Sequence, residues 1–167
     1  LRAIFPVFVT DIIHLLDAQR MISNIGILTN RTILSNRINH DISRAFSFTS
    51  NGKERSYAYL IWKNPYMAAG PNTFIHHILK SCGWNNVLRH SNNRYPEIRL
   101  DELKSLSPEV VLLSSEPYPF KDKNKKELEK ELLDSKIILI DGRLISWYGP
   151  SLTEVPAYLN RIKRQLL

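Results

Sequence analysis

Among the residues with the chemical type for catalysis or metal binding, the pair His76-His77, the single thiol Cys82 and Glu116 in an aromatic loop are the ones to weigh first. Adjacent residues on a helix point about 100° apart, so the two histidines cannot chelate one ion together and read as helix histidines. Cys82 stands alone, which excludes a disulfide framework and a cysteine-based metal site. Glu116 has the type of a general base, but nothing in its neighbourhood pairs with it, and hydrogen bonding or loop ordering is its expected role. Gly70-Pro71-Asn72-Thr73 opens a helix whose N-terminus could hold an anion, although capping by Asn72 explains the same residues. There is no G-x-S-x-G, no phosphate-binding loop and no Gly-rich dinucleotide fingerprint. The sequence supplies no catalytic set and no metal site.

Aromatic loops are the stronger signal. Trp62-Lys63-Asn64-Pro65-Tyr66-Met67, Ser114-Ser115-Glu116-Pro117-Tyr118-Pro119-Phe120 and Ser146-Trp147-Tyr148-Gly149 each leave a short aliphatic strand. Connections run over the surface, where paired aromatics are unusual unless they pack on something. One such loop could merely plug the end of a sheet. Three on one edge predict a cleft walled by flat rings with a few polar groups, a composition that suits binding more than chemistry.

The elements that must position these loops alternate. Ile4 to Val9 reads as a strand, with Pro6 placing it at an edge, and a helix capped by Thr10-Asp11 follows it and closes at Gly26. Thr29 to about Phe48 is a long helix with Leu34, Ile38, Ile42, Ala45 and Phe46 on one stripe. Its ~20 residues would reach about 30 Å, enough to join two lobes. Ser50-Asn51-Gly52-Lys53 breaks it. Beyond Ser56 come a strand at Tyr57 to Trp62, a helix from Thr73 to Ser81, a short strand at Val87-Leu88 and a helix from Leu100 to Leu106. A strand at Val110 to Leu113, a helix from Lys123 to Leu133, a strand at Ile137 to Ile140 and a final helix from Ser151 to Leu166, bent at Pro156, complete the chain. Asp141-Gly142 is expected to be the turn that stops the last strand. This alternation predicts an α/β fold: a parallel-sheet, Rossmann-like lobe with helices on both faces, preceded by a long inter-lobe backbone helix. Ligands of such sheets bind outside the carboxyl ends of the strands, where the three aromatic loops lie.

Size and charge narrow the function. At 167 residues, with 43% hydrophobic and 23% charged residues, the chain has a folding composition and room for about one domain. No apolar run approaches the ~20 residues that span a membrane. The net charge of +7 raises the question of nucleic acid. The basic residues are scattered, however, and Lys121 to Lys130 alternates them with acids, so a solvated surface is the expectation and nucleic acid is not an expected partner.

Taken together, YLIWKNPYMAAGPNTFIHHILKSCGWNNV, RYPEIRLDELKSLSPEVVLLSSEPYPF and IDGRLISWYG resemble the C-terminal lobe of class III periplasmic substrate-binding proteins. These are the helical-backbone receptors of ABC importers for cobalamin, ferric siderophores and heme. The resemblance covers about Tyr57 to Tyr158. It implies three segments: 1–27 as the remnant of an N-terminal lobe, 28–50 as the inter-lobe backbone helix, and 51–167 as the C-terminal ligand-binding lobe. The resemblance further implies a non-enzymatic, monomeric receptor outside the cytoplasm, free or lipid-anchored, that hands its cargo to the importer's permease subunits. The cargo would be cobalamin or another metal chelate, with no resident cofactor.

Carried over residue by residue, the resemblance assigns the ligand wall to Trp62, Tyr66, Glu116, Tyr118, Trp147 and Tyr148. It assigns permease docking to Asp101, seven positions before Pro108, with Glu102 as its neighbour. Family members usually carry Glu there, and an acid in the first turn of a helix is favourable by itself. Most of an N-terminal lobe is expected to precede this sequence, and the lobe alone should expose an apolar patch along Leu34 to Ile42. An α/β enzyme working at the same strand ends is the alternative from another class.

Overall fold

In the computed structural model residues 3–47 and 53–166 are described. Helix α1 (Leu15–Leu28) and helix α2 (Thr32–Ser47) form an antiparallel hairpin. Then follow β1 (Arg55–Trp62), β2 (Met67–Ala68), α3 (Phe74–Ser81), β3 (Trp84–Asn86), α4 (Leu100–Leu106), β4 (Val110–Ser114) and α5 (Asp122–Glu131). Strand β5 (Lys136–Ile140), α6 (Gly142–Ser146), a 3₁₀ turn (Pro150–Glu154) and α7 (Val155–Arg164) close the chain.

Strands β1, β4 and β5 are parallel and in register, with Tyr57 to Leu60 beside Val110 to Leu113 and Val110 to Ser114 beside Lys136 to Ile140. The far side of β1 is shared: β3 pairs parallel with its start and β2 antiparallel with its end. The period-2 alternation of side chains splits the core in two. Tyr57, Tyr59, Val110, Leu112 and Ile140 face a layer built from α1, α2, α3, α6 and α7. Ala58, Leu60, Val111, Leu113 and Ile137 face α4 and α5. Helices therefore cover both faces, and every residue of β4 is buried. Each fully buried Leu or Ile of this kind contributes roughly 1.5–3 kcal/mol.

The helices are capped largely by side chains that reach back to the residue before the helix. Asp17 accepts from His14 N at 2.8 Å, Glu102 from Arg99 N at 2.9 Å, and Asn124 from Lys121 N at 3.0 Å. Helix α3 is capped by the Thr73 hydroxyl, which accepts from His76 N at 3.1 Å; Asn72, the expected cap, does not serve.

Several local expectations are corrected. Ile4 to Val9 forms no strand; its apolar residues are exposed and no partner strand lies beside them among the described residues. Helix α1 starts after His14 rather than Thr10-Asp11 and runs past Gly26, which is buried inside it; Asn30, with φ of 54°, takes the left-handed turn. The short strand precedes Val87-Leu88 rather than including it, although Val87 N still donates to Tyr57 O at 2.9 Å. Gly142 opens a helix instead of a turn, because Asp141 caps it by accepting from Arg143 N at 3.0 Å. Pro156 sits in the first turn of α7, where its missing N–H costs nothing, and causes no bend. The Leu34–Ile42 stripe is divided: Ile42 is fully buried on the sheet layer, whereas Ile33 and Leu34 are exposed. Phe48 and the turn residues Ser50, Asn51 and Gly52 lie outside the described residues.

Candidate functional site

Because β1, β4 and β5 are parallel, Trp62, Ser114 and Ile140 end on one edge, and the three aromatic connections leave it side by side. The first two interlock. Tyr118 N donates to Ile61 O at 3.2 Å, which lays the β4–α5 connection across the end of β1. The Tyr118 ring then packs edge-on to Trp62 at 5.7 Å and to Phe120 at 4.7 Å. Lys63 pairs with Glu127 of α5 and ties the β1–β2 turn to that helix. Tyr66 is half-buried among the apolar residues on the α4–α5 side, and burial raises its phenol above the usual value.

The third connection is anchored from below. Asp141 N donates to the Tyr158 hydroxyl at 2.8 Å, and Gly142 N donates to Ser115 Oγ at 2.9 Å. A Cβ on Gly142 would meet Ser114 Oγ at 2.1 Å, so only glycine lets α6 approach the end of β4 this closely. Ser114 Oγ in turn accepts from the Tyr59 hydroxyl at 3.1 Å and donates to Glu116 O. Burial pushes the Tyr59 phenol up to about 12, so it acts as a fixed neutral donor. Helix α6 then delivers Trp147, whose indole N–H donates to Glu116 Oε1 at 2.5 Å. Tyr148 lies edge-on to Phe74 of α3 at 5.1 Å.

The six expected wall residues thus fall into two groups on one edge. Trp62, Tyr66 and Tyr118 gather over the α4–α5 side, and Glu116, Trp147 and Tyr148 over the α3–α6 side, with Glu116 to Tyr118 running between them. Trp147 is 63% exposed, and Trp62 and Tyr148 are each 41% exposed. Three large rings held by neighbours yet open to solvent form a preorganised apolar edge. Beside Trp147 lies an open depression of about 350 Å³ lined by Glu116, Asp141, Arg143, Leu144 and Ser151.

Arg143 was not among the sequence candidates. Its guanidinium meets both oxygens of Asp141 at 3.1 and 2.9 Å, and this pairing holds the Asp141 carboxyl below its usual range. The signal that could have found it is the Asp-Gly-Arg run, in which a capping acid and a basic residue two positions on share a helix start.

Asp101 and Glu102 lie in the first turn of α4 and are exposed. The two differ in role: Glu102 caps the helix through Arg99 N, while Asp101 pairs with the Arg99 guanidinium in solvent. Ile98 N donates to Tyr66 O at 2.9 Å, so α4 begins on the same strand-end side as the β1–β2 turn. His76 and His77 have ring centroids 5.0 Å apart at 80°, and no three His, Cys, Asp or Glu side chains converge on one point among the described residues.

No protein-family model matches the chain, and no curated protein does. Its fold is that of class III periplasmic binding proteins. Periplasmic heme-binding protein BhuT in complex with two hemes superposes with a TM-score of 0.81 at 14% identity, over 99% of this chain and 69% of that one. A possible iron-binding periplasmic solute-binding protein from Staphylococcus epidermidis gives 0.78 at 16% identity, over 93% of this chain and 64% of that one. Periplasmic vitamin B12 binding protein BtuF of Vibrio cholerae gives 0.70 at 12% identity, over 98% of this chain and 69% of that one. The chain thus spans about two thirds of the length of the structures it resembles.

Proposed function

We propose that this chain is the cleft-forming part of a solute receptor for an ABC importer, and that it takes a metal chelate such as cobalamin, heme or a ferric siderophore against its strand-end aromatics. The observation that carries the reading is the edge itself: Trp62, Trp147 and Tyr148 are fixed by Tyr118, Glu116 and Phe74 while their faces stay open. Rings held in place lose little freedom on binding, and a planar chelate buries both its own faces and theirs. The likeness to binding proteins for heme, iron and vitamin B12 supports the same class of cargo. Glu116 is already engaged by the Trp147 indole, which suits a residue that orders the wall better than one that moves protons.

In this reading α2 is the inter-lobe helix and residues 51–167 are the lobe that closes on the ligand, outside the cytoplasm. Asp101 is the docking acid for the permease. Its partner among the described residues, Arg99, is an exposed side chain two residues away, and a solvent-exposed pair of this kind adds little, so exchange for a cation on the permease costs little. The test is titration of the protein with cyanocobalamin, hemin and a ferric siderophore, followed by tryptophan fluorescence, alongside a Trp147→Ala, Tyr148→Ala variant. Saturable binding of one chelate that weakens in the variant supports the reading. Equal binding by both proteins, or none by a well-folded protein, sinks it.

A further inference from the structure

A second recess lies along the outer edge of the sheet, between α3 and the segment that follows β3, with a volume of about 450 Å³. It shares no lining residue with the depression at Trp147. Its walls carry more basic than acidic side chains. Lys80, Arg89 and His90 line it, none of them in an ion pair among the described residues, and Glu54 is the one carboxylate on its surface.

The protonation of its floor follows from one amide. Asn86 is buried, and its Nδ2 donates to Ala69 O at 2.9 Å while its Oδ1 accepts from Leu88 N at 2.9 Å. Those two bonds fix which end of the amide is nitrogen. The third contact, Asn86 Nδ2 to His76 Nδ1 at 3.4 Å, therefore has Asn86 as donor and the ring nitrogen as acceptor. With Nδ1 accepting, the ring proton sits on Nε2, and burial lowers the His76 pKa. His76 is only 7% exposed, lines the recess, and has no acceptor for that N–H among the described residues. That nitrogen is not sealed from solvent, so a bound acceptor would take the place of water there.

We infer that this recess binds a small oxyanion, a phosphoryl or carboxylate group, held by His76 Nε2–H and by the charges of Lys80 and Arg89. Basic side chains outnumber the single carboxylate on this wall, the Asn86 carbonyl is engaged by Leu88 N, and the Asn72 and Asn85 amides can donate to an anion as well as accept. Lys163, the next cation, is not part of the site, because its ammonium donates to Cys82 O and Gly83 O at 2.7 and 2.8 Å. Trp84 forms part of the wall, which gives the site its own reporter.

The experiment uses a Trp62→Phe, Trp147→Phe protein, in which Trp84 is the sole tryptophan and the aromatic edge is silent. Inorganic phosphate and citrate are titrated separately while Trp84 emission is read, so the two arms separate phosphoryl from carboxylate recognition. Saturable binding of one anion is expected, weakened at least tenfold by Lys80→Ala with Arg89→Ala, both exposed positions that leave the core untouched. His76→Gln, whose amide nitrogen replaces Nε2, is expected to retain binding, and His76→Asn, which replaces only Nδ1, to lose it. No saturable response to either anion, or unchanged affinity in the double alanine variant, overturns the inference. Equal affinity of the Gln and Asn variants, both folded by thermal unfolding, removes His76 from the site and overturns the geometry argued above.

Discussion

Trp147 and Glu116 are 31 residues apart in sequence, yet the indole N–H of one donates to the carboxylate of the other and joins the β5 and β4 connections into one wall. The bond sits at an exposed position, so it orders a loop more than it holds the fold. Trp147→Phe keeps the ring and loses the donor. It is expected to change unfolding free energy by no more than about 0.5 kcal/mol, as surface substitutions do. Chelate affinity is expected to fall about tenfold, the effect of roughly 1.4 kcal/mol of lost preorganisation. Urea denaturation and fluorescence titration on the same protein separate the two; a large stability loss would assign Trp147 a structural role instead.

His77 gives the fold a pH dependence whose sign can be worked out. Burial, together with His14, His76 and Lys80, brings its pKa down to about 4 from the ordinary 6.5, with Asp17 opposing. The unfolded chain takes up this proton near 6.5, so between those values the unfolded state binds more protons and acid favours unfolding. The contribution of His77 is complete above about pH 6.5, declines as pH falls through that window, and is gone below about 4. The native carboxylates Asp17 and Glu109, whose pKa values are lowered, lose stability on the acid side as well. The informative quantity is therefore the difference between the parent and His77→Gln. That difference should shrink as pH drops from 7 toward 4; a constant difference across the range would show that His77 does not titrate on unfolding.

Much of the lobe was legible because its signals are local. Val110 to Leu113 and Ile137 to Ile140 are aliphatic runs too short for helices, and both are strands. Ile4 to Val9 carried the same local signal and is not a strand, since a strand exists only where a partner satisfies its backbone. Trp84–Asn86 was missed because the pairing with β1 ends just before the apolar Val87-Leu88 that drew the expectation. Glycine was legible as a constraint but not as which one: Gly26 and Gly142 serve close approach rather than turns. At the site, the three aromatic runs could be read from sequence, whereas the Trp147–Glu116, Trp62–Tyr118 and Tyr148–Phe74 pairings depend on which strands are neighbours. Arg143 was passed over for a related reason: the Asp-Gly-Arg run marks a helix start, but the importance of Arg143 comes from the depression it borders.

Cys82 is buried at the end of α3, and burial pushes its thiol up to about 11. Thiolate is the reactive form, so the native protein at pH 8 should resist a disulfide reagent and react only through opening. Labelling that tracks the unfolded fraction across a urea series is the expected result. Rapid stoichiometric labelling without denaturant would mean that the α3–β3 corner opens readily.

The hairpin of α1 and α2 closes on a contact with no room in it. A Cβ on Gly26 would lie 2.1 Å from Ser35 Oγ and 2.5 Å from Ser35 Cβ, and Ser35 is itself buried. Four polar bonds among the described residues hold the rest of the crossing: Gln19 Nε2 to Asn39 O at 3.2 Å and to Ser43 Oγ at 2.7 Å, and Asn39 Nδ2 to Gln19 O at 3.0 Å and to Ser23 Oγ at 2.8 Å. These geometries tolerate little separation of the helices. Gly26→Ala would gain about 1 kcal/mol of helix propensity if the site were open. Here the helices must part, and overpacking of this kind costs typically 1–3 kcal/mol. The net expectation is a loss of stability despite the better helix former. Ser35→Gly should relieve the clash, so the double variant is expected to be more stable than Gly26→Ala alone, with a coupling of about 1 kcal/mol or more in a double-mutant cycle. Additive effects in urea denaturation would mean that the two helices do not meet at this point.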